Sequence, residues 1–219
     1  MAAPPRLVIF DCDGVLVDSE PIAMRILLET LAAEGLRLDP ATGYDRFLGR
    51  SLANTREILA ADFGVKLSDA ALAAMRQRLY AAFRAGLAAT PGIAAVLDAL
   101  AAPYCVASSS QPERIRLSLD VAGLLPRFEG RIFSATMVPR GKPAPDLFLH
   151  AAGEMGFAPG DCLVVEDSPA GIRAARAGGM RVVAYLGGSH AGSPDYRDRI
   201  AALRPDRMIT DMRDLLGSD

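Results

Sequence analysis

Two aspartates, Asp11 and Asp13, directly follow a short apolar run, Leu7–Phe10, and are the residues of this chain best suited to chemistry. The run is typical of a buried strand, and parallel sheets bind ligands at the carboxyl ends of their strands. Two carboxylates about 4 Å apart repel each other by about 4 kcal/mol at a surface-like dielectric. The pair therefore predicts a nearby cation or a protonated acid, unless Asp-Cys-Asp-Gly is only a solvated turn.

Further polar residues follow other predicted strands, so one edge of the sheet would collect them all. The resulting set has four carboxylates and no histidine, which favours a hard cation such as Mg²⁺ over zinc. We expect the four carboxylates, including those of Asp11 and Asp13, to hold this metal. The other expected site residues are Ser108, Ser109, Lys142, Glu166 and Asp167, of which the last two supply the remaining carboxylates.

These residue types are suited to phosphoryl transfer through a phosphorylated aspartate. We expect Asp11 to attack phosphorus, and Asp13 to protonate the leaving oxygen and later to accept a proton from water. Lys142 would neutralise the transferring group, while Ser108, Ser109 and nearby backbone N–H groups would donate to its oxygens. Taken singly, the serine run and the Gly-Lys-Pro segment are ordinary loop sequences, and neither is a nucleotide P-loop.

The composition is that of an ordinary globular chain. Its 219 residues suffice for one large domain or for a core plus a smaller domain, and 51% of them are hydrophobic. The net charge of −2, with no basic tract, argues against nucleic acid as a partner. No apolar stretch reaches the roughly 18 residues of a membrane span. Buried strand cysteines are expected to be free thiols, and we expect a cytoplasmic monomer or weak homo-oligomer.

The chain divides into a helical block and an alternating part. Residues 18–87 show only helical patterns, with helix starts predicted near serines, and are expected to form a separate all-α domain. Residues 1–17 and 88–219 alternate strands and helices, which predicts an α/β core with a doubly wound parallel, Rossmann-like sheet. Residues 186–196 are expected to be a loop in which His190 is solvated.

In order and in type, these motifs resemble those of the haloacid dehalogenase superfamily of aspartate-nucleophile phosphotransferases. The resemblance rests on DCDGVLVDSE from Asp11, the serine in VASSS (Ser108), GKPAPDLF around Lys142, and VVEDSPAGIRAA from residue 164. It covers nearly the whole chain. It implies a Mg²⁺ site to which the backbone carbonyl of Asp13 contributes. It also implies a small α-helical cap, as in the β-phosphoglucomutase-like and sugar-phosphate phosphatase branch.

The resemblance implies a Mg²⁺-dependent phosphomonoester hydrolase acting on a small phosphorylated metabolite, which we expect to be a sugar or sugar-acid phosphate. In the cap, Arg50 is the candidate contact to a hydroxyl, a carboxylate or a second phosphate, with Arg76 and Arg78 as further candidates. Whether Glu166 binds the metal directly or through water is left open.

Four alternatives differ from this hypothesis in identifiable features of the sequence. A hexose-phosphate mutase shares the core residues but has a histidine where this chain has Ala23. Dehalogenases lack the second acid, Asp13, and phosphonate-cleaving members use a cap lysine, where this chain offers only Lys66. A non-enzymatic phospho-receiver module combines similar residues but has no helical insertion.

Overall fold

The computed structural model describes residues 4–217 and is built around a parallel sheet. Its strands are β1 (Leu7–Phe10), β2 (Tyr104–Ser108), β3 (Ile132–Ser134), β4 (Cys162–Glu166), β5 (Arg181–Tyr185) and β6 (Arg207–Ile209). The spatial order is β3-β2-β1-β4-β5-β6, and all neighbouring pairs are parallel. The winding direction reverses between β1 and β4, which creates a crevice at their carboxyl ends. The predicted α/β class with a doubly wound parallel sheet is confirmed.

Burial on both faces explains the apolar sequence of the central strand. Val8 and Phe10 of β1 contribute to one hydrophobic cluster, whereas Leu7 and Ile9 contribute to a second cluster on the opposite face. Successive strand residues point to opposite faces, and helices cover both faces of a parallel sheet. The strand therefore reads as a continuous apolar run, and its first polar residue marks its exit from the sheet.

Helices make up most of the remaining regular structure. They are α1 (Glu20–Ala33), α2 (Pro40–Phe47), α3 (Leu52–Phe63), α4 (Asp69–Gly86), α5 (Ile93–Ala99), α6 (Pro112–Val121), α7 (Leu125–Phe128), α8 (Asp146–Glu154), α9 (Pro169–Ala177) and α10 (Pro194–Ala201). The side chains of Ser51 and Ser68 accept the backbone N–H groups of Asn54 and Ala71, as expected of N-caps. Ser19 precedes α1 but makes no such cap.

In the sequence, helices α1–α4 follow β1 and precede β2, and they have their own apolar cluster, which includes Leu31 and Leu59. The chain leaves and re-enters the sheet layer at adjacent positions. Val17 pairs with Ala89 in an antiparallel bridge, and the N–H of Asp18 donates to the carbonyl of residue 88 at 3.2 Å. The helical segment is thus joined to the sheet through two neighbouring connections.

Two helices depart from the sequence-based expectation. Helix α2 begins after Asp39 and not near one of the serines where helix starts were expected, and α10 begins inside the stretch expected to be a loop. Each starts with a capping residue followed by proline, Asp39-Pro40 and Ser193-Pro194. Both are only eight residues long, so they offer too few apolar repeats for a periodic pattern to emerge.

The three cysteines lie in the core, as expected. Cys12, Cys105 and Cys162 are buried free thiols, which confirms that they fill the core. Within residues 4–217, none of the helices has both the length and the apolar character that crossing a membrane requires.

Candidate active site

Lys142 lies between two carboxylates at the carboxyl edge of the sheet. Its Nζ is 2.8 Å from Asp11 Oδ1 and 2.6 Å from Glu166 Oε1. Asp11 follows β1, Glu166 ends β4, and Lys142 lies in the segment between β3 and α8. Burial alone would lower the pKa of Lys142, but the two carboxylates raise it, so the side chain is a cation. A buried ammonium therefore holds two neighbouring strand ends together.

A third carboxylate, that of Asp167, joins this group. Asp11, Glu166 and Asp167 each offer an oxygen, and these oxygens lie within 4.8 Å of one another. Burial raises the pKa of Asp11 and of Asp167 well above the ordinary value, the neighbouring acids add to the rise, and Lys142 opposes it. One ammonium does not balance three buried carboxylates, so the cluster is suited to a further positive charge.

The side chain of Asp167 has a buried oxygen that is suited to binding a cation. Its Oδ2 is buried and accepts no hydrogen bond from the residues that the structure describes. Gly14 has φ +83°, and a Cβ added there would lie 1.9 Å from this oxygen. Only glycine at position 14 therefore leaves room for the Asp167 carboxylate. A buried, unpartnered oxygen beside a cluster of carboxylates fits a hard divalent cation such as Mg²⁺.

Asp13 accepts three hydrogen bonds from side chains. Ser19 Oγ and Arg114 Nη2 donate to its Oδ1 at 2.5 and 2.7 Å, and Ser110 Oγ donates to its Oδ2 at 2.7 Å. Burial would raise the pKa of Asp13, but Arg114 and the hydroxyl donors hold it below the ordinary value. Asp13 is therefore an anion in this conformation, although it lies only two residues from Asp11.

The serines that follow β2 lie around the same space. Ser108 is buried, and its Oγ accepts the backbone N–H of Ser110 at 3.2 Å. Ser108 and Ser109 line a cavity of about 120 Å³ together with Asp11 and Asp13. The structure therefore brings the proposed phosphate-binding serines next to the proposed nucleophile.

The expectation that His190 is a solvated loop residue is wrong. Its side chain is fully buried, and its Nε2 is 2.9 Å from Asp167 Oδ2, although the two are not aligned as a hydrogen bond. Its ring packs edge-on against Tyr196, whose hydroxyl donates to the Asp167 carbonyl at 2.7 Å. The cause is local: the N–H of Ser189 donates to Asp18 at 3.3 Å and draws the segment against the start of α1. Burial lowers the pKa of His190.

Residues of the helical segment divide into those that line the cavity and those that lie outside it. Glu20, the first residue of α1, is buried and lines the cavity together with Ala23 and Arg50. Burial and the nearby acids, Asp13 foremost, raise the pKa of Glu20 to about 8. By contrast, Arg78 donates to Glu29 on the helical segment and does not line the cavity.

Sequence reasoning missed Arg114, Ser110, Glu20 and His190 as members of the site. The topology contains the signal for two of them. Arg114 lies in the first turn of α6, directly after the serine loop, so its helix starts at the carboxyl edge of the sheet. His190 follows β5, which ends at that same edge. The site thus draws residues from loops at this edge that carry no acid as well as from those that do.

Comparison with known proteins agrees with this architecture. A family model described as haloacid dehalogenase-like hydrolase matches residues 5–179. A curated relative, the 6-phosphogluconate phosphatase of Escherichia coli K12, is 34% identical over 184 residues, which are 84% of this chain and 83% of that protein. Hexitol phosphatase A of the same organism is 34% identical over 182 residues, covering 80% and 81% of the two chains.

A solved structure shows the same fold over nearly the full length. The crystal structure of a haloacid dehalogenase-like protein of unknown function from Agrobacterium tumefaciens C58 has a TM-score of 0.81 and 36% identity, covering 96% of this chain and 95% of that one. The family match, the sequence relatives and the shared fold agree with the sequence resemblance. The chain belongs to the haloacid dehalogenase-like hydrolase family.

Proposed function

We propose that the protein is a Mg²⁺-dependent phosphatase that hydrolyses phosphomonoesters of small sugars or sugar acids through an aspartyl-phosphate. The observation that carries this proposal is the position of Asp11, which borders a cavity and is held by the ammonium of Lys142 at 2.8 Å. The names of the two curated relatives, a 6-phosphogluconate phosphatase and a hexitol phosphatase, support this substrate class.

In the first half-reaction, an oxygen of Asp11 forms a bond to phosphorus while the bond from phosphorus to the ester oxygen breaks. The departing oxygen keeps the electron pair and takes a proton from Asp13. Lys142 stabilises the charge on the transferring group, and Ser108 with the following backbone N–H groups donates to its oxygens. In the second half-reaction, water attacks phosphorus, gives a proton to Asp13 and releases Asp11.

The role of Asp13 requires a change from the conformation described. Arg114 and two hydroxyl groups now hold Asp13 as an anion. To donate a proton, Asp13 must first take one up and therefore give up its contact with Arg114. This contact would keep the acid away from phosphorus until a substrate competes for it.

The carboxylates of Asp11 and Asp167 fit the role of metal ligands, with Asp13 contributing as the family resemblance implies. Both oxygens of Glu166 are already engaged, one by Lys142 at 2.6 Å and the other by the N–H of Ser168 at 2.8 Å. Glu166 is therefore better placed to orient Lys142, or to act through water, than to bind metal directly. When bound, Mg²⁺ would offset the repulsion between the carboxylates and the incoming phosphate.

Helices α1–α4, within residues 18–87, are proposed to act as a cap over the phosphate site. Side chains of these helices, together with Arg50 in the loop between α2 and α3, line the same cavity as Asp11 and Asp13. A cap that closes over a substrate excludes water and selects the leaving group. Ala23 also lines the cavity, and its methyl group cannot transfer a proton, which favours hydrolysis over the mutase alternative.

The proposal is tested by hydrolysis of p-nitrophenyl phosphate with and without Mg²⁺. The wild-type protein should turn over the ester only with the metal, and rapid acid quenching should leave a phosphoryl group on Asp11. The variant Asp11→Asn should lose turnover and the adduct. Asp120→Asn, at an exposed position of α6, is the matched control and should keep both.

Full activity of Asp11→Asn would overturn the proposed mechanism. The mutase alternative is tested separately with β-glucose 1-phosphate and a bisphosphate primer. Release of inorganic phosphate supports the phosphatase, whereas conversion to glucose 6-phosphate without phosphate release supports the mutase.

A further inference from the structure

A second cavity of about 360 Å³ adjoins the phosphate site. It lies between the helical segment and the start of α6, and it shares Arg50, Ser109 and Ser110 with the first cavity. We use the name arginine recess for the part of this second cavity that is lined by Arg50, Arg56 and Arg76. None of the steps proposed above uses this space.

The arginine recess carries an excess of positive charge. Among residues 4–217, none makes an ion pair with Arg50, Arg56 or Arg76. Arg114 lines the same cavity, but its charge is balanced by Asp13. Asp69 is the acid in the lining. The three unpaired guanidinium groups therefore outnumber the carboxylate that faces them.

The three arginines come from different elements, so their meeting is not the side effect of one helix face. Arg50 precedes α3, Arg56 lies within α3, and Arg76 lies within α4. Arg78, two residues further along α4, has its charge satisfied by Glu29. All three residues are exposed to solvent, and an anion within the cavity that they line would be attracted to each of them. Guanidinium also matches the planar oxygens of a carboxylate or phosphate.

Apolar side chains connect the arginine recess with the phosphate site. Leu52, Met75 and Leu79 line both cavities. A ligand that spans the two cavities would place one anionic end beside Asp11, a carbon chain along these three side chains, and its other end in the recess. The lining thus matches a molecule with charge at both ends and carbon between them.

We propose that the arginine recess binds a second anionic group of the substrate, a carboxylate or a second phosphate, away from the ester that is cleaved. This inference rests on the proposed phosphatase function and deepens it. Substrates would be phosphate esters whose far end is negatively charged, and an ester of the same length with a neutral far end would bind less well.

The test compares matched esters that differ only at the far end. The probes are gluconate 6-phosphate, with a terminal carboxylate, and glucitol 6-phosphate, with a neutral terminal alcohol. Fructose 1,6-bisphosphate and fructose 6-phosphate form the corresponding pair for a second phosphate. Wild-type kcat/KM should be roughly ten- to a hundredfold higher for at least one charged member than for its neutral or less charged partner. This is the effect expected for one hydrogen bond to a charged group. The pair that shows the effect identifies carboxylate or phosphate as the bound group.

Substitutions in the arginine recess should reduce that preference. Arg56→Gln and Arg76→Gln should each lower kcat/KM for the preferred charged ester by a larger factor than for its partner. The matched control is Arg84→Gln, because Arg84 is an exposed residue of α4 outside the cavity lining, and it should leave the preference at the wild-type value. Calorimetry with Asp11→Asn measures the same preference as binding, without turnover.

The outcomes separate this inference from the function on which it rests. Equal kcat/KM within both pairs, or equal losses on charged and neutral esters in the arginine variants, would overturn the arginine recess as an anion site. If p-nitrophenyl phosphate were still hydrolysed in that case, the phosphatase function would stand. The wild-type protein could instead hydrolyse no ester while the Asp11→Asn variant still bound the charged ligands more tightly than their partners. In that case the arginine recess would be supported as an anion site and the phosphatase function would be wrong.

Discussion

The guanidinium of Arg114 donates to Asp13 Oδ1 at 2.7 Å, across 101 residues of sequence. Only 23% of the Arg114 side chain and 11% of the Asp13 side chain are exposed, so the pair is largely withdrawn from water. A buried ion pair that loses one partner leaves the other charge without compensation, which typically costs about 3–5 kcal/mol. The contact therefore contributes to the stability of the site as well as to the charge state of Asp13.

We predict strong coupling between these two residues in a double-mutant cycle. Arg114→Met and Asp13→Asn should each lower the free energy of unfolding. The double variant should be more stable than the sum of the two losses implies, by about 0.5–3 kcal/mol, as found for residues in direct contact. Urea unfolding of the four proteins measures this energy.

The matched control lies on the same helix. Arg116 pairs with Glu129 at 2.8 Å, but both side chains are about half exposed. The corresponding cycle with Arg116→Met and Glu129→Gln should give a coupling of about 0–1 kcal/mol. Equal coupling in the two cycles would contradict the claim that burial makes the Arg114–Asp13 pair important.

Lys142 provides the second prediction. Lys142→Met should reduce kcat by about a hundredfold or more, since it removes the charge that would stabilise the transferring group. It should also lower the free energy of unfolding, because Asp11 and Glu166 would be left in a buried site without their ammonium. Steady-state kinetics and urea unfolding measure the two effects.

The chain has one other lysine, Lys66, which is exposed and offers a matched control. Lys66→Met makes the same chemical change and should leave both kcat and the unfolding free energy near their wild-type values. Similar losses in the two variants would mean that any lysine substitution perturbs this protein, and the specific role of Lys142 would be lost.

Much of the sheet and of its active edge was predictable from local sequence. Strands β1, β2 and β4 are short, mostly apolar runs that end at or just before a polar residue, namely Asp11, Ser108 and Glu166. In a parallel sheet these exits must lie on one edge, so the proximity of Asp11, Lys142 and Glu166 follows from topology.

The contacts that sequence reasoning missed depend on how separate elements pack. The meeting of Arg114 with Asp13 is fixed by the packing of α6 against the sheet, and no local pattern near either residue indicates it. His190 is similar, since a Gly/Ser-rich segment is typical of a solvated loop and only its contacts with Asp18 and Tyr196 bury it. Such placements require the tertiary structure.

Glu20 gives the third prediction, which concerns the pH dependence of stability. Burial and the neighbouring acids raise the pKa of Glu20 from its ordinary value of 4.5 to about 8. Between these values the folded protein holds a proton that the unfolded chain releases. The free energy of unfolding therefore falls as the pH rises from about 4.5 to about 8, by at most about 1.4 kcal/mol per pH unit.

The variant Glu20→Gln should remove that part of the pH dependence. Its stability relative to the wild-type protein should increase steadily from pH 5 to pH 8, as measured by urea unfolding with a chelator present. Glu34→Gln, at the exposed end of the same helix, should follow the wild-type curve. A constant difference between Glu20→Gln and the wild-type protein across this range would contradict the raised pKa.

The last prediction concerns the close approach of helix α9 to Glu166. Gly171 lies in the first turns of α9, and a Cβ placed there would be 1.8 Å from Glu166 Oε1, the oxygen that accepts the Lys142 ammonium. Gly171→Ala should therefore displace Glu166 and destabilise the protein by about 1–3 kcal/mol, as overpacked buried sites do. It should also lower kcat, because Lys142 would lose the partner that positions it.

The control is Gly153→Ala. Gly153 is also a helical glycine, but the space around an added methyl group is open there, so this variant should be neutral or slightly stabilising. Thermal unfolding and p-nitrophenyl phosphate hydrolysis of both variants would test this difference. If Gly171→Ala matched Gly153→Ala in both measurements, the glycine would not be required for the position of Glu166.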